Sequence, residues 1–125
     1  MLTINVEQVL LFHKKIISQT GGSTGIRDLS VIESALYKAF QTFDGKDLYE
    51  GELKKIVAIA YALISNHGFV DGNKRIGVSV MLLLLKLNGY HIEYSQEKLV
   101  KLGLKTAEGI YTEENIEQWI IKHQV

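Results

Sequence analysis

Residues 53–87 read LKKIVAIAYALISNHGFVDGNKRIGVSVMLLLLKL, two apolar runs separated by a polar break. In the first run Leu53, Ile56, Val57, Ala60, Ile64 and His67 recur in phase at helical spacing. In the second, Val78, Val80, Met81, Leu82, Leu83, Leu84 and Leu85 cover a helix on every side, the pattern of an element enclosed by others. The spacing predicts a helix into His67, a short loop over Gly68 to Asn73, and a helix from about Lys74 to Leu87. The 76–87 segment is then the buried centre of the fold. It is too short to cross a bilayer, which takes about 20 residues.

The same period extends outward in both directions. Val6, Val9, Leu10, His13, Ile16 and Ile17 share one helix face, with Asn5 placed to cap it. Gly21-Gly22-Ser23-Thr24-Gly25 breaks that helix and reads as a turn or mobile loop; with no following lysine and no preceding strand it is not a P-loop. Ser30 with Glu33 forms a capping box for a second helix, whose buried stripe is Ala35, Leu36, Ala39 and Phe40. Asp44-Gly45-Lys46-Asp47 reads as a turn or loop. Asn88-Gly89 ends the central helix, and His91 to Tyr94 is a short extended segment. A helix follows at about Ser95 to Glu108, and a last one starts near Thr112 and buries Ile116, Trp119 and Ile120. The expectation is an all-α fold, about six helices around the 76–87 helix, with residues 1–125 as one domain.

Composition narrows the classes of function. Fourteen basic and fourteen acidic residues cancel, so the chain has no general electrostatic footprint for DNA or an anionic membrane. There is no cysteine, hence no disulfide and no thiolate metal site. His91 and His123 lack partners at zinc-ligand spacing. The opening residues, Met1-Leu2-Thr3-Ile4-Asn5, do not resemble a signal peptide, and the expected location is the cytoplasm.

Chemistry concentrates in His67-Gly68-Phe69-Val70-Asp71-Gly72-Asn73-Lys74-Arg75. Taken singly, each residue has a plain structural reading: a histidine closing an apolar stripe, an Asp-Gly turn, an asparagine N-cap, a solvated helix start. Together they conflict with helix physics. A helix N-terminus carries unpaired N–H groups and partial positive charge, so two cations there cost about 0.3–1 kcal/mol each unless an anion offsets them. Gly72 lets the backbone turn and a ligand approach. Gly72, Asn73, Lys74 and Arg75 therefore describe an anion site, with phosphate the natural occupant. Asp71 is placed to hold Mg²⁺, which usually takes one or two carboxylates plus phosphate oxygens. His67 is a candidate general base, histidine being the residue type that titrates near neutrality. Phe69 has no chemistry of its own and reads as the anchor that buries its ring and holds the loop.

This segment resembles the Fic/Doc signature H-x-F-x-[DE]-[AG]-N-[GK]-R at every specified position. His13, Gly21-Gly22, Gly25-Ile26-Arg27-Asp28, Glu33-Ser34-Ala35-Leu36 and Leu87-Asn88-Gly89-Tyr90 resemble the Doc branch, so the likeness covers nearly the whole chain. It implies a helical fold and a protein-modifying transferase that uses ATP and Mg²⁺. It also implies His67 as base on a target hydroxyl, Asp71 at the metal, and Gly72, Asn73, Lys74 and Arg75 at the phosphates. The Fic branch transfers AMP and carries glycine before the motif arginine, with a second arginine three residues beyond it. Lys74 and Val78 stand at those positions and match the Doc branch, which implies a death-on-curing toxin that phosphorylates its target, elongation factor Tu, and arrests translation. Gly72 matches the Fic form instead, which keeps AMP transfer as the alternative, beside a non-catalytic antitoxin-binding homologue. The inhibitory pattern [ST]-x-x-x-E-[GN] is absent, because Lys46, Leu104 and Ile110 precede the three candidate Glu-Gly or Glu-Asn pairs. The resemblance implies a separate antitoxin whose C-terminal segment lies as a helix in a groove. Outside the motif, His13 reads as a hydrogen-bonded core histidine. Arg27 and Asp28 read as a pair, a helix cap or, for Arg27, a target contact, and Trp119 reads as core.

Overall fold

A computed structural model describes residues Met1–Val125. Six helices dominate it: α1 (Val6–Thr20), α2 (Leu29–Tyr37), α3 (Glu52–Ser65), α4 (Asn73–Leu87), α5 (Gln96–Ala107) and α6 (Glu113–His123). A 3₁₀ turn (Lys38–Phe40) extends α2, and a short hairpin, β1 (Thr42–Phe43) with β2 (Lys46–Asp47), precedes α3. The expected all-α architecture is the observed one.

Local chemistry fixes most helix starts. Asn5 and Gln8 form a capping box at α1, Ser95 accepts from the Lys98 N–H at α5, and Thr112 and Asn115 form a second box at α6. The cap of α2 differs from the expected Ser30–Glu33 box. Asp28 takes it instead, accepting both the Ser30 N–H (3.0 Å) and the Ser30 hydroxyl (2.6 Å), and Ser30 falls inside the helix. A carboxylate at the N-terminus gains from the helix dipole as a hydroxyl does not. The Asp44-Gly45 turn closes a two-residue hairpin, both residues having positive φ (53° and 76°), which matches the twist of the flanking strands.

The core is one cluster of 23 buried residues. Within it α3 and α4 pack most extensively, joined by the short loop 66–72. The deepest helix is α3, whose Ile56 to Ala60 and Ala62 to Ile64 are all buried, its small alanines letting neighbours close in. On α4, Ile76, Gly77, Val80, Met81, Leu84 and Leu85 are buried, while Val78 and Ser79 face a cleft against α1 and α5. Truncating a fully buried leucine or isoleucine here costs about 2–5 kcal/mol. On α6, Ile116 and Ile120 are buried, but Trp119 stays at the rim, stacked on His123 with ring centroids 4.2 Å apart. Its indole reaches past the core to cover the C-terminal turn. The chain end is tied down by a bridge between Ile92 and Gln124. No helix is long and apolar enough to cross a membrane.

Candidate active site

The loop between α3 and α4 is held from several directions. Its second residue, His67, adopts a left-handed backbone (φ 51°), unusual for a residue with a Cβ and costing of order 1–3 kcal/mol unless neighbours impose it. Those neighbours are residues 25–28. Arg27 and Asp28 donate their N–H groups to the Gly68 carbonyl (2.9 and 3.0 Å), and Val70 donates to Gly25 (3.0 Å). Ile26 and Phe69 form a bridge between them, and the Arg27 guanidinium reaches the His67 carbonyl at 3.3 Å. The Asn73 side chain accepts the Phe69 N–H (3.1 Å) and donates to the Phe69 carbonyl (3.0 Å), so the amide braces the loop while the residue's own N–H opens α4.

Phe69 is buried, 2 % exposed, and its ring stacks on His13 of α1 at 3.7 Å and 12°. His13 is itself 1 % exposed and hydrogen-bonds the Asp71 carbonyl at 2.7 Å. A buried histidine with a partner is what the α1 pattern predicts. Its contact with the motif loop was beyond that pattern, because it joins positions 58 residues apart.

The charged residues meet at the start of α4. Gly72 is the left-handed N-cap (φ 78°), and a Cβ there would press on Ile17 at 3.0 Å and His13 at 3.3 Å. No side chain caps the helix and no acid lies in its first turn. The N–H groups of Asn73, Lys74 and Arg75 precede the first intrahelical bond and face outward unpaired; the Ile76 N–H is the first to close on Gly72. Asp71 accepts from the N–H of Gly72 (2.8 Å) and of Ser23 (3.3 Å), and Arg75 lies 3.4 Å away. The backbone N–H groups of Ser23 and Gly72, helped to a lesser degree by the nearby Arg75 and His13, hold the Asp71 carboxyl below the usual carboxylate range against the opposing effect of desolvation. It is ionised at neutral pH. Arg75 also donates to the Thr20 hydroxyl and the Gly21 carbonyl (2.7 Å). Lys74 is exposed and has no acidic partner.

Residues 20–23 thus strap the Asp71–Arg75 end of the loop, a role not legible in the glycine-rich run, which read as a turn or mobile loop. Gly22 is the tight point, since a Cβ there would collide with the Asp71 carboxylate. At the other end the His67 side chain is exposed and unbonded, and no hydrogen bond joins it to Asp71, Lys74 or Arg75. Beside Lys74 and Arg75 lies a cleft of about 440 Å³ lined by Ile16, Val78, Leu99, Val100 and Leu104. No cluster of three or more histidine or acidic side chains forms a ready-made metal cage.

Comparison with known proteins agrees with the motif. The model of the Fic/DOC family matches residues 3–85. The chain belongs to the Fic/Doc family. Among curated Fic/Doc proteins it is similar to Toxin Doc of Mycolicibacterium smegmatis, 32% identical over 72 residues, covering 58% of this chain and 55% of that protein. The chain therefore spans about half the length of the curated relative it matches. The Fic/Doc match runs from the start of α1 almost to the end of α4 and so takes in His13, the strap and the whole motif.

Proposed function

We propose that residues 1–125 act as one Fic/Doc domain, a Doc-like toxin that transfers the γ-phosphoryl group of ATP to a hydroxyl of a target protein. The observation that carries this reading is the open first turn of α4. Three unpaired N–H groups and the uncompensated Lys74 stand beside an ionised carboxylate, with an exposed imidazole at the other end of the same loop. Such a terminus is built for phosphate.

In this reading the β- and γ-phosphates lie against the open N–H groups of Asn73, Lys74 and Arg75 at the turn made by Gly72, with the Lys74 and Arg75 side chains neutralising charge. Nζ of Lys74 is exposed with no hydrogen-bond or ion-pair partner, whereas Arg75 is already oriented by Thr20 and Gly21. Asp71 suits Mg²⁺: its Oδ2 accepts one long bond from Ser23 and keeps a lone pair, and a single carboxylate suffices when phosphates and water complete the shell. The metal would neutralise charge on the phosphate oxygens. His67 takes the proton from the target hydroxyl as that oxygen bonds to the γ-phosphorus, the bond to the β-phosphate oxygen breaks, and ADP leaves. Positioning and charge neutralisation are most of what phosphoryl transfer requires.

The target in this reading is elongation factor Tu, its modification arresting translation in the cytoplasm. The restraint is a separate antitoxin, whose C-terminal amphipathic helix would lay an apolar face into the cleft between α1, α4 and α5. Incubation with Mg²⁺, elongation factor Tu and ATP labelled at either the α- or the γ-phosphate tests the reaction. Label kept only from the γ position is the expected result. Label kept from the α position would mean AMP transfer, the outcome that Gly72 in the motif favours. No label from either would leave a non-catalytic antitoxin-binding homologue.

A further inference from the structure

The proposed mechanism leaves out the most deeply buried polar side chain that touches the loop. His13 sits on α1, far from the motif in sequence, yet its ring is 1 % exposed and its Nε2 lies 2.7 Å from the Asp71 carbonyl. A carbonyl only accepts, so Nε2 carries the proton and donates. The ring lies flat on Phe69, 3.7 Å between centroids, and Nε2 also borders Gly72, where an added Cβ would come within 3.3 Å. One side chain thus touches three residues of the loop: the anchor, the proposed metal carboxylate through its own carbonyl, and the N-cap of α4.

We infer that His13 is a positioning residue, whose Nε2–H fixes the Asp71 peptide and thereby sets the Asp71 carboxylate and the Gly72 turn for a magnesium–nucleotide phosphate. The inference rests on the reading of this site as an ATP site, but its structural half does not. The Asp71 carboxylate receives the Gly72 and Ser23 N–H groups at 2.8 and 3.3 Å. Rotation of the Asp71–Gly72 peptide would break the Gly72 bond, free the carboxylate to swing from Ser23, and turn the first N–H groups of α4 away from their ligand. The His67 end is held separately, by Arg27 at the His67 carbonyl and by the 27–28 amides at Gly68. Loss of the His13 donor therefore loosens one end of the loop and leaves the base in place. A residue that only filled space would make no such distinction.

Two substitutions separate donor from ring. His13→Phe keeps the stack on Phe69 and deletes the donor; His13→Gln gives up the ring and returns an amide N–H at similar reach. Each is assayed for transfer from ATP with Mg²⁺ and for hydrogen exchange of individual backbone amides. For His13→Phe the expected result is a KM for Mg²⁺–ATP raised roughly 10–100-fold with kcat changed much less, the range seen when a partner behind a metal ligand is removed. Exchange at Gly72 and Ser23 quickens about tenfold while α3 core amides stay protected. His13→Gln restores both. Should His13→Phe fail to fold, His13→Leu, which puts no ring edge against the carbonyl, takes its place. Unchanged KM and exchange without the donor, or no recovery with glutamine, overturns the inference. If the wild-type protein shows no response to ATP, the functional reading fails instead, and the exchange at Gly72 and Ser23 still decides the role of His13.

Discussion

The N-termini of α4 and α6 solve the same physical problem in opposite ways. At α6, Thr112 and Asn115 cap each other's backbone donors, and Glu113 and Glu114 place negative charge in the first turn. Every rule of helix stability is followed there. At α4, a left-handed glycine precedes three open N–H groups, no acid follows, and Lys74 and Arg75 add charge of the wrong sign. The protein carries this second arrangement at the end of its most tightly packed helix pair, where neighbours supply the stability the terminus lacks. The difference teaches where to look for a ligand: the terminus that breaks the local rules is the one at which a partner from outside the chain should be sought.

The contrast gains catalytic meaning only if His67 acts on what α4 holds. His67→Ala is expected to lower phosphoryl transfer by about 10²–10⁴-fold, the usual worth of a positioned base. The fold should persist, because the His67 side chain is exposed and makes no hydrogen bond. Label incorporation from γ-labelled ATP and a circular-dichroism melt measure the two halves. Wild-type transfer by this variant would leave α4 as a binding site with no base beside it.

A finer test exchanges one charge at each terminus. Lys74→Gln should raise stability by about 0.3–1 kcal/mol, since it removes a cation from the positive end of a helix dipole. It should also weaken Mg²⁺–ATP binding about tenfold, the loss of one charge-assisted contact. Glu114→Gln on α6 should lower stability by about the same 0.3–1 kcal/mol and leave nucleotide binding unchanged. Denaturant melts with and without Mg²⁺–ATP read all four numbers. If Lys74→Gln destabilises the protein, the lysine has an internal role and α4 is not the exception it is taken to be.

The same contrast explains how much of the molecule was legible in its sequence. Helix positions were readable because burial repeats every three to four residues, and the caps at Asn5, Ser95 and Thr112 lie beside the helices they start. The family was legible because the motif is contiguous. What stayed hidden depends on pairs distant in sequence: His13 with Asp71, Ser23 with Asp71, Arg75 with Thr20 and Gly21. Periodicity marks His13 as buried but not what it touches, and a glycine-rich run looks the same whether it floats or straps. At α2 two adjacent signals competed, Asp28 and Ser30, and the carboxylate won on electrostatics. Trp119 had the right spacing for the core but is too large to be enclosed at the edge of α6.

The smallest expected effect concerns Asp71, which supplies the α4 end with the one negative charge it has. The N–H groups of Ser23 and Gly72, joined by Arg75 and His13, hold its carboxyl below the ordinary value of 3.8. A carboxyl whose folded value lies below its unfolded one binds protons more readily in the unfolded chain, so its contribution is complete above 3.8. That contribution fades as pH falls from there through the lower folded value. Acid should therefore release the strap at Ser23 along with a share of the global stability. Melting temperatures followed over about pH 5 to 2 should fall more steeply for the wild type than for Asp71→Asn, whose amide cannot gain the proton. Asp28 has its own lowered value, set first by the Ser30 hydroxyl, and contributes the same fall to both proteins. Only the difference between the two slopes belongs to Asp71. Parallel curves would mean that the strap does not depend on the charge of that carboxylate, and the α4 terminus would then lack even this one internal counterweight to its cations.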